Sequence, residues 1–193
     1  MTVDLKAAAF TLNGLRPYPV AVTTVSGGRA NGLIALSSGS GSILEEAPRV
    51  MIGLTKYNLT HDMVVESGVF AMHLLATGTD DVLAASMQLL MQLGGSSGRD
   101  GDKLAGLRTK EGVTGSPILL DALTYVEGRV VTSMDAQENT VFLADVVASE
   151  KLTKGSRLGI GEAWSKLPPE WVEEYERNHE AQLEDARRHR GLV

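Results

Sequence analysis

The chain of 193 residues contains no cysteine. That excludes disulfides, thiol catalysis, iron–sulfur clusters and cysteine-ligated zinc, and it fits a reducing compartment. A basic surplus is also missing: 18 Lys and Arg stand against 24 Asp and Glu, a formal net charge of −6. Nucleic-acid binders ordinarily carry the opposite balance, so no nucleic-acid partner is expected. Long apolar runs are absent as well, since segments 50–54 and 69–75 fall far short of the roughly 20 residues that span a bilayer. The N-terminus has Asp4 and Lys6 around a short apolar stretch, 7–12, without the basic head and long apolar core of a signal peptide. The expectation is a cytoplasmic protein with no membrane partner.

Several catalytic signatures fail on inspection. Gly39-Ser40-Gly41-Ser42-Ile43-Leu44 begins like a dinucleotide fingerprint, but Leu44 occupies the third glycine position. In Gly98 to Lys103 the lysine is followed by Leu104 instead of the Ser or Thr of a P-loop. No Gly-x-Ser-x-Gly elbow is present. The histidines, His61, His73, His179 and His189, lack the spacing of a helical zinc motif, so no metal site is expected. His73 sits in an apolar strand and reads as a satisfied core or interface residue. His179 and His189 belong to a charged tail and read as solvated. His61, at a helix start, is the one kept near a site.

What is present is an ordinary globular composition, 43% apolar and 22% charged, with a length suited to one domain plus an appendage. Residues 18–25 read as a strand, Ser26-Gly27-Gly28 as a tight turn and 30–37 as the returning strand. The segment Ser37-Ser38-Gly39-Ser40-Gly41-Ser42 has two readings: a flexible linker, or a place where a ligand or another backbone comes close. Strands are expected at 49–54 and 69–75. A helix is expected over 59–67, with Thr60 near its start as a cap and Gly68 as its stop. Apolar spacing predicts a helix over 80–93, with Asp80 and Asp81 at the positive end of its dipole. Asp102 opens a possible short helix to Leu107. Long strands are expected at 123–134 and 140–152, the second with apolar residues on both faces. After Pro168-Pro169, acidic residues lead and Arg187, Arg188 and Arg190 close, the charge order of a helix. Its stripe, Trp171, Val172, Tyr175, Leu183 and Ala186, predicts packing on the body or on a partner subunit. The order is β-rich with inserted helices, which favours a barrel over a doubly wound nucleotide fold. The division expected is 1–165 for the main domain and 166–193 for a C-terminal helical extension.

One constellation remains: Pro17-Tyr18-Pro19-Val20-Ala21-Val22-Thr23-Thr24, Ala30-Asn31-Gly32, the Ser37 to Ser42 segment, Pro48, Lys56-Tyr57-Asn58-Leu59-Thr60, Gly68-Val69-Phe70 and Gly101-Asp102-Lys103-Leu104. In order and spacing, over about residues 10–165, it resembles the flavin reductase family. The resemblance implies a mainly β, Greek-key, FMN-binding split β-barrel with inserted helices, here followed by a C-terminal helix. It implies FMN, with FAD as the variant, held at a homodimer interface and reduced by NADH or NADPH, with a monooxygenase as a possible partner for the reduced flavin. Asn31, Ala35, Leu36, Ser37 and Ser38 would run along the isoalloxazine edge, Ser40 and Ser42 toward the ribityl chain, and Lys56 and Thr60 would meet the phosphate. No acid–base dyad is implied, because hydride passes directly between two stacked rings. Two places depart from the pattern. Gln137-Glu138-Asn139-Thr140 stands where relatives often have Gly-Asp-His-Thr. Leu158-Gly159-Ile160 lacks the aromatic residue of Leu-Leu-Tyr, while Trp164 and Leu167 fit the Tyr-x-x-Leu that follows. Asn139 therefore keeps two alternatives open: a flavoprotein oxidoreductase acting on another substrate, and a non-catalytic flavin carrier or sensor.

Overall fold

The computed structural model describes residues 3–193. Helix α1 (Leu5–Gly14) precedes β1 (Val20–Ser26), β2 (Arg29–Ala35), β3 (Ser38–Ser40) and β4 (Arg49–Thr55). Helix α2 (Leu59–Ser67), β5 (Val69–Leu74), β6 (Ala76–Thr77) and α3 (Asp80–Gly94) follow. The second half comprises β7 (Thr109–Glu111), β8 (Pro117–Leu119), β9 (Thr124–Asp135), β10 (Asn139–Lys151), β11 (Ser156–Arg157), α4 (Ile160–Lys166) and α5 (Pro169–His189). Among the described residues no helix is long and apolar enough to cross a membrane.

Seven strands form one antiparallel sheet in the order β2-β1-β5-β9-β10-β4-β3. The two edge strands, β2 and β3, are consecutive in the chain, so the sheet must curl until its ends meet. Ser37 closes the curl: its carbonyl accepts the Gly53 N–H of β4 at 2.8 Å. Register shifts in the β9–β10 ladder at Leu143/Ala144 and Val146/Ala148 bend the longest hairpin along the same curve. The result is the expected mainly β split barrel, open where β2 and β4 part.

Alternation along β1 shows why both of its faces are apolar. Val20 and Val22 point into the barrel with Ile52, Leu54, Phe70 and Phe142, and Val64 of α2 packs against the same cluster. Ala21 points outward beneath α3, α4 and α5, in a second cluster with Leu89, Leu93, Leu158 and Leu167. The β1–β2 turn is the predicted one: Gly27 and Gly28 have φ of 56° and 77°, which suits a two-residue hairpin matching the strand twist. Helix α2 has the predicted bounds, and Gly68 caps it in the left-handed region at φ 66°.

Other expectations are corrected. Thr60 does not cap α2. Asn58 holds the cap position, and Thr60, one turn position inside, is buried. Residues 103–106 form turns instead of a helix, because Asp102 bonds the Leu104 N–H at 2.8 Å and Gly106 takes φ 76°. Strand β10 buries one face only: Phe142 and Ala144 are inside, Val141 and Leu143 half-buried. Helices α1 and α4 and the short strands β6, β7, β8 and β11 are additions. Helix α1 buries no residue, which is why its weak apolar pattern gave no helix signal, although Asp4 caps it through the Lys6 and Ala7 N–H groups.

Candidate active site

The split between β2 and β4 opens into a cleft floored by the C-terminal end of α3 and walled by α5. It is walled by Ala35, Leu36 and Ser37 on one side and by Gly53, Thr55 and Asn139 on the other. A Cβ on Gly53 would stand 3.2 Å from the Ser37 Cβ, so glycine keeps this wall flush. Among the described residues, the N–H groups of Leu36 and Ser37 make no hydrogen bond within the chain. They sit where β2 has ended and β3 has not begun, which leaves two donors free beside the opening.

A second hollow adjoins the first and shares Leu33, Asn58, Gly94, Ser96, Lys103 and Gln182 with it. The two enclose about 220 Å³ and 250 Å³. Neither alone reaches the roughly 300 Å³ at which drug-sized ligand sites begin, so a ligand of that size needs both. The second hollow is built on the start of α2, through Tyr57 to Thr60, and on the 96–100 loop. Its loop is tied down firmly. Arg29 donates to the Gly98 carbonyl, and Arg99 donates to the Tyr57 carbonyl and to Asp62, both at 2.8 Å. A Cβ on Gly98 would fall 2.4 Å from the Asn31 amide, so the loop backbone lies directly on that side chain.

Charge separates this cleft from the rest of the molecule. The first hollow has Arg16 and Lys103 on its wall and no carboxylate. Lys103 is 7% exposed, the one buried lysine among the described residues, and its ammonium donates to the Leu93 carbonyl. No acidic side chain pairs with it, and burial pushes its pKa down to about 8. Asp100 and Glu174 reach the second hollow from its exposed rim.

The predicted site residues divide into two sets. Ala35, Leu36 and Ser37 line the first hollow; Asn31 and Thr60 line the second, joined by an Asn31 Nδ2 to Thr60 Oγ1 bond of 3.0 Å. Ser38, Ser40, Ser42 and Lys56 line neither. The serines lie on the exposed edge, where Ser40 Oγ donates to the Ser42 carbonyl at 2.9 Å and Ser42 Oγ accepts the Leu44 N–H at 3.0 Å. Lys56 pairs with Asp135 at 2.8 Å, and that ammonium holds the Asp135 carboxyl below its usual range. His61 also faces away, between Asp62 and Thr140 at 2.9 and 2.8 Å. His73 is the satisfied core residue expected: Nδ1 donates to the Ala21 carbonyl at 3.2 Å and Nε2 accepts the Leu119 N–H at 3.0 Å.

Two contributors were missed. Lys103 lies in Gly101-Asp102-Lys103-Leu104, a polar loop whose lysine the sequence alone reads as solvated. His179 is exposed, as read, and its ring also stands on the cleft wall with Trp171, Tyr175 and Gln182. The i, i+4, i+8 spacing of Trp171, Tyr175 and His179 was the available signal. Trp171 is seated by its Nε1 bond to the Met91 carbonyl, 3.2 Å, over Gly95, where a Cβ would meet the indole at 2.6 Å.

A family model described as a flavin reductase like domain matches residues 14–157. The chain is 30% identical over 135 residues to the high molecular weight rubredoxin of Moorella thermoacetica, covering 69% of this chain and 56% of that protein, so it spans little more than half that relative's length. It is 30% identical over 132 residues to the ferric-chelate reductase (NAD(P)H) of Archaeoglobus fulgidus, covering 68% and 73%. The solved NADH:FAD oxidoreductase of Streptomyces globisporus C-1027 shares the fold, with a TM-score of 0.63 at 23% identity over 82% of this chain and 90% of that one. The matched region stops before α4 and α5.

Proposed function

The chain belongs to the flavin reductase like domain family, and on that premise we propose that it binds FMN in the two-part cleft and catalyses reduction of the flavin by NAD(P)H. The observation that carries the reading is the cleft itself: free N–H donors on a flush wall of small residues in one hollow, and a buried cation leading into the next. Residues Ala35 to Ser37 suit the edge of a flat ring, whose oxygen and nitrogen acceptors would take the Leu36 and Ser37 N–H groups. The second hollow suits the phosphate. Asn58 makes no side-chain cap bond, so the Leu59 and Thr60 N–H groups at the α2 start stay available, and Lys103 stands beside them.

Bound flavin would supply the redox chemistry, taking a hydride from the reduced nicotinamide. The chain's own part is to orient and to exclude water. Leu33, Leu90 and Leu93 give the cleft an apolar floor, and the α5 aromatic residues close one side. No side chain is asked to move a proton. Ser38, Ser40, Ser42 and Lys56 would take part from the outer rim, Lys56 by exchanging Asp135 for the ligand.

A second copy of the chain would complete that rim. Met51 and Met134 stand exposed on one sheet face, cross-strand from Leu143 and Val141. This apolar face is continuous with Gly53 and therefore with the cleft mouth. Sedimentation should show a dimer at micromolar concentration, and Met51→Lys with Met134→Lys should dissociate it.

The test of function is a titration with FMN followed by flavin fluorescence, then anaerobic addition of NADH or NADPH with bleaching of the flavin absorbance as readout. Binding of FMN with weaker binding of riboflavin is expected. Failure to bind any flavin would overturn the reading. Tight binding without bleaching by either nucleotide would favour the second reading, an oxidoreductase using its flavin on another substrate, which Asn139 at the cleft in place of an imidazole supports. Loss of FMN on gel filtration would mark a flavin exchanged with a partner such as a monooxygenase.

A further inference from the structure

We propose that the outer half of α5 is a strap across the cleft, clasped to the β10 wall by Arg190 and Glu138, and that it holds FMN as a resident group instead of releasing it to a partner. The inference rests on the flavin reading of the cleft and concerns a helix outside the family-matched region. Helix α5 runs over both hollows. Trp171, Tyr175, His179 and Gln182 line the first, and Glu174, Asn178 and Gln182 the second, so a ligand that fills both lies along this helix.

The helix has 21 residues and is about 30 Å long. Its two ends are held differently. Leu167, just before it, is buried in the second core cluster, and Trp171 and Val172 are half-buried against the same cluster. The Trp171 Nε1 bond to the Met91 carbonyl and the Tyr175 ring, set between Trp171 and Trp164 with centroids 5.3 and 5.5 Å away, complete that root. Beyond Tyr175 no residue is buried. Among the described residues, the polar ties of this half to the body are a 3.4 Å bond from Asn178 Nδ2 to the Gly95 carbonyl and a 3.8 Å ion pair from Arg190 to Glu138. The pairs of Arg187 with Glu180 and Arg188 with Glu184 stay within the helix, so they stiffen it without attaching it.

Glu138 precedes Asn139, which lines the first hollow on its β10 wall. The helix therefore runs from a packed root at the cleft floor to the opposite wall, and grips that wall through one pair whose arginine is 54% exposed. Such a pair contributes up to about 1 kcal/mol and is screened by salt. A segment with a packed root and a weakly held end opens locally while its root stays in place. Closed, it bars the side of the cleft that spans both hollows; open, it lets a flavin pass.

The test uses the full-length chain and stopped-flow flavin fluorescence, with FMN and with riboflavin, which has no phosphate. Arg190→Gln should raise the association and dissociation rates of both flavins together, by about two- to fivefold, the equivalent of one exposed ion pair. Each dissociation constant should stay within about twofold, since the clasp favours the closed form with or without flavin. Arg190→Glu should raise the rates further, and Arg190→Glu with Glu138→Arg should restore them. Wild-type protein should keep its FMN through gel filtration, and Arg190→Glu should shed it. The chain has no cysteine, so Glu138→Cys with Arg190→Cys gives a single thiol pair that a bismaleimide can bridge after loading, and bridging should slow FMN release. A faster dissociation with unchanged association would make Arg190 an ordinary contribution to affinity and overturn the strap. So would rates unmoved by substitution and bridging alike, or wild-type protein that sheds FMN on the column. Amide exchange of the flavin-free chain separates this from the flavin reading: Arg190→Glu should speed exchange over 178–189 and leave 169–175 slow. If that holds while wild-type protein binds no flavin, the flavin reading fails together with retention, and the opening of α5 stands by itself. Equal exchange along the whole helix overturns the strap.

Discussion

Replacing Lys103 by Met tests the phosphate end of the cleft most sharply. Methionine matches the stem in length and fills the same space, so the apolar surroundings at Leu93 stay packed while the charge is removed. The ammonium meets no carboxylate in the chain, and its bond to the Leu93 carbonyl is the one it forms there. Folding stability should therefore hold or rise slightly, because a buried charge without a counter-ion is itself unfavourable. Binding should behave oppositely. A charge-assisted hydrogen bond contributes about 1.5–3 kcal/mol, so FMN should bind roughly tenfold to a hundredfold more weakly. Riboflavin, which lacks the phosphate, should be affected little. The lowered pKa, about 8, supplies an independent arm. The cation that attracts phosphate is present below that pH and lost above it. If the complex keeps the proton, the apparent FMN affinity of the wild-type chain should fall about tenfold between pH 7 and pH 9. Ionisation of the flavin ring is shared with riboflavin, so the ratio of the two affinities isolates the phosphate. Equal weakening of FMN and riboflavin in Lys103→Met, or a ratio that stays flat through pH 8, would refute the assignment.

Glu127, fully buried, accepts from the Val113 and Thr114 N–H groups at 3.0 and 2.8 Å and from Thr114 Oγ1 at 2.7 Å. Glu127→Ala should cost about 2–4 kcal/mol in urea unfolding by orphaning those donors, and a loss under about 1 kcal/mol would show that the loop finds other partners. His73 is buried neutral with its pKa lowered to about 4, chiefly by desolvation. The unfolded chain binds the proton below 6.5 and the native one does not, so about 3 kcal/mol of stability should drain away as pH falls from 6.5 toward 4, and NMR should find the imidazole unprotonated at pH 5.5. Gly95→Ala would drive a Cβ into the Trp171 indole. Proteolysis in the C-terminal helix should then accelerate while the barrel stays resistant, and an unchanged cleavage pattern would show that Trp171 does not seat the helix.

The barrel was legible because its signals are local. Two positive-φ glycines in sequence announce the first hairpin, and Gly68 ends α2 whatever surrounds it. The flush wall was legible in part, since the small residues Ala35 and Ser37 follow the apolar Leu33 and Ile34 and lead into the serine–glycine segment. What escaped were properties set by partners distant in the chain. Thr60 reads as a cap from its neighbours, but Asn31, across the barrel mouth, claims its hydroxyl. Lys56 ends a strand as a free cation would, and only the folded β9–β10 turn reveals Asp135 beside it. Lys103 is the reverse case: a lysine in a polar loop is solvated by default, and its burial follows from the 94–102 loop being pinned by Arg29 and Arg99.

Those same arginines help an acidic chain keep its carboxylates out of the first hollow and at the rim of the second. Arg99 takes up Asp62 and Arg29 takes the loop carbonyl, so the acidic group nearest the α2 start is already paired on the outside. At the cleft mouth Lys56 does the same for Asp135, and Arg190 reaches Glu138 from the tail. With these acids engaged at the rim, the first hollow is lined by the buried Lys103 and the exposed Arg16 without a carboxylate, while Asp100 and Glu174 stay at the exposed rim of the second. A net charge of −6 then acts on the outer surface, while an anionic ligand inside meets cations in a poorly screened setting where they count for most. Neutralising one of the outer pairs, as in Arg99→Gln, would leave Asp62 unpaired near the second hollow. It should therefore weaken FMN more than riboflavin without any change at a residue that lines the cleft.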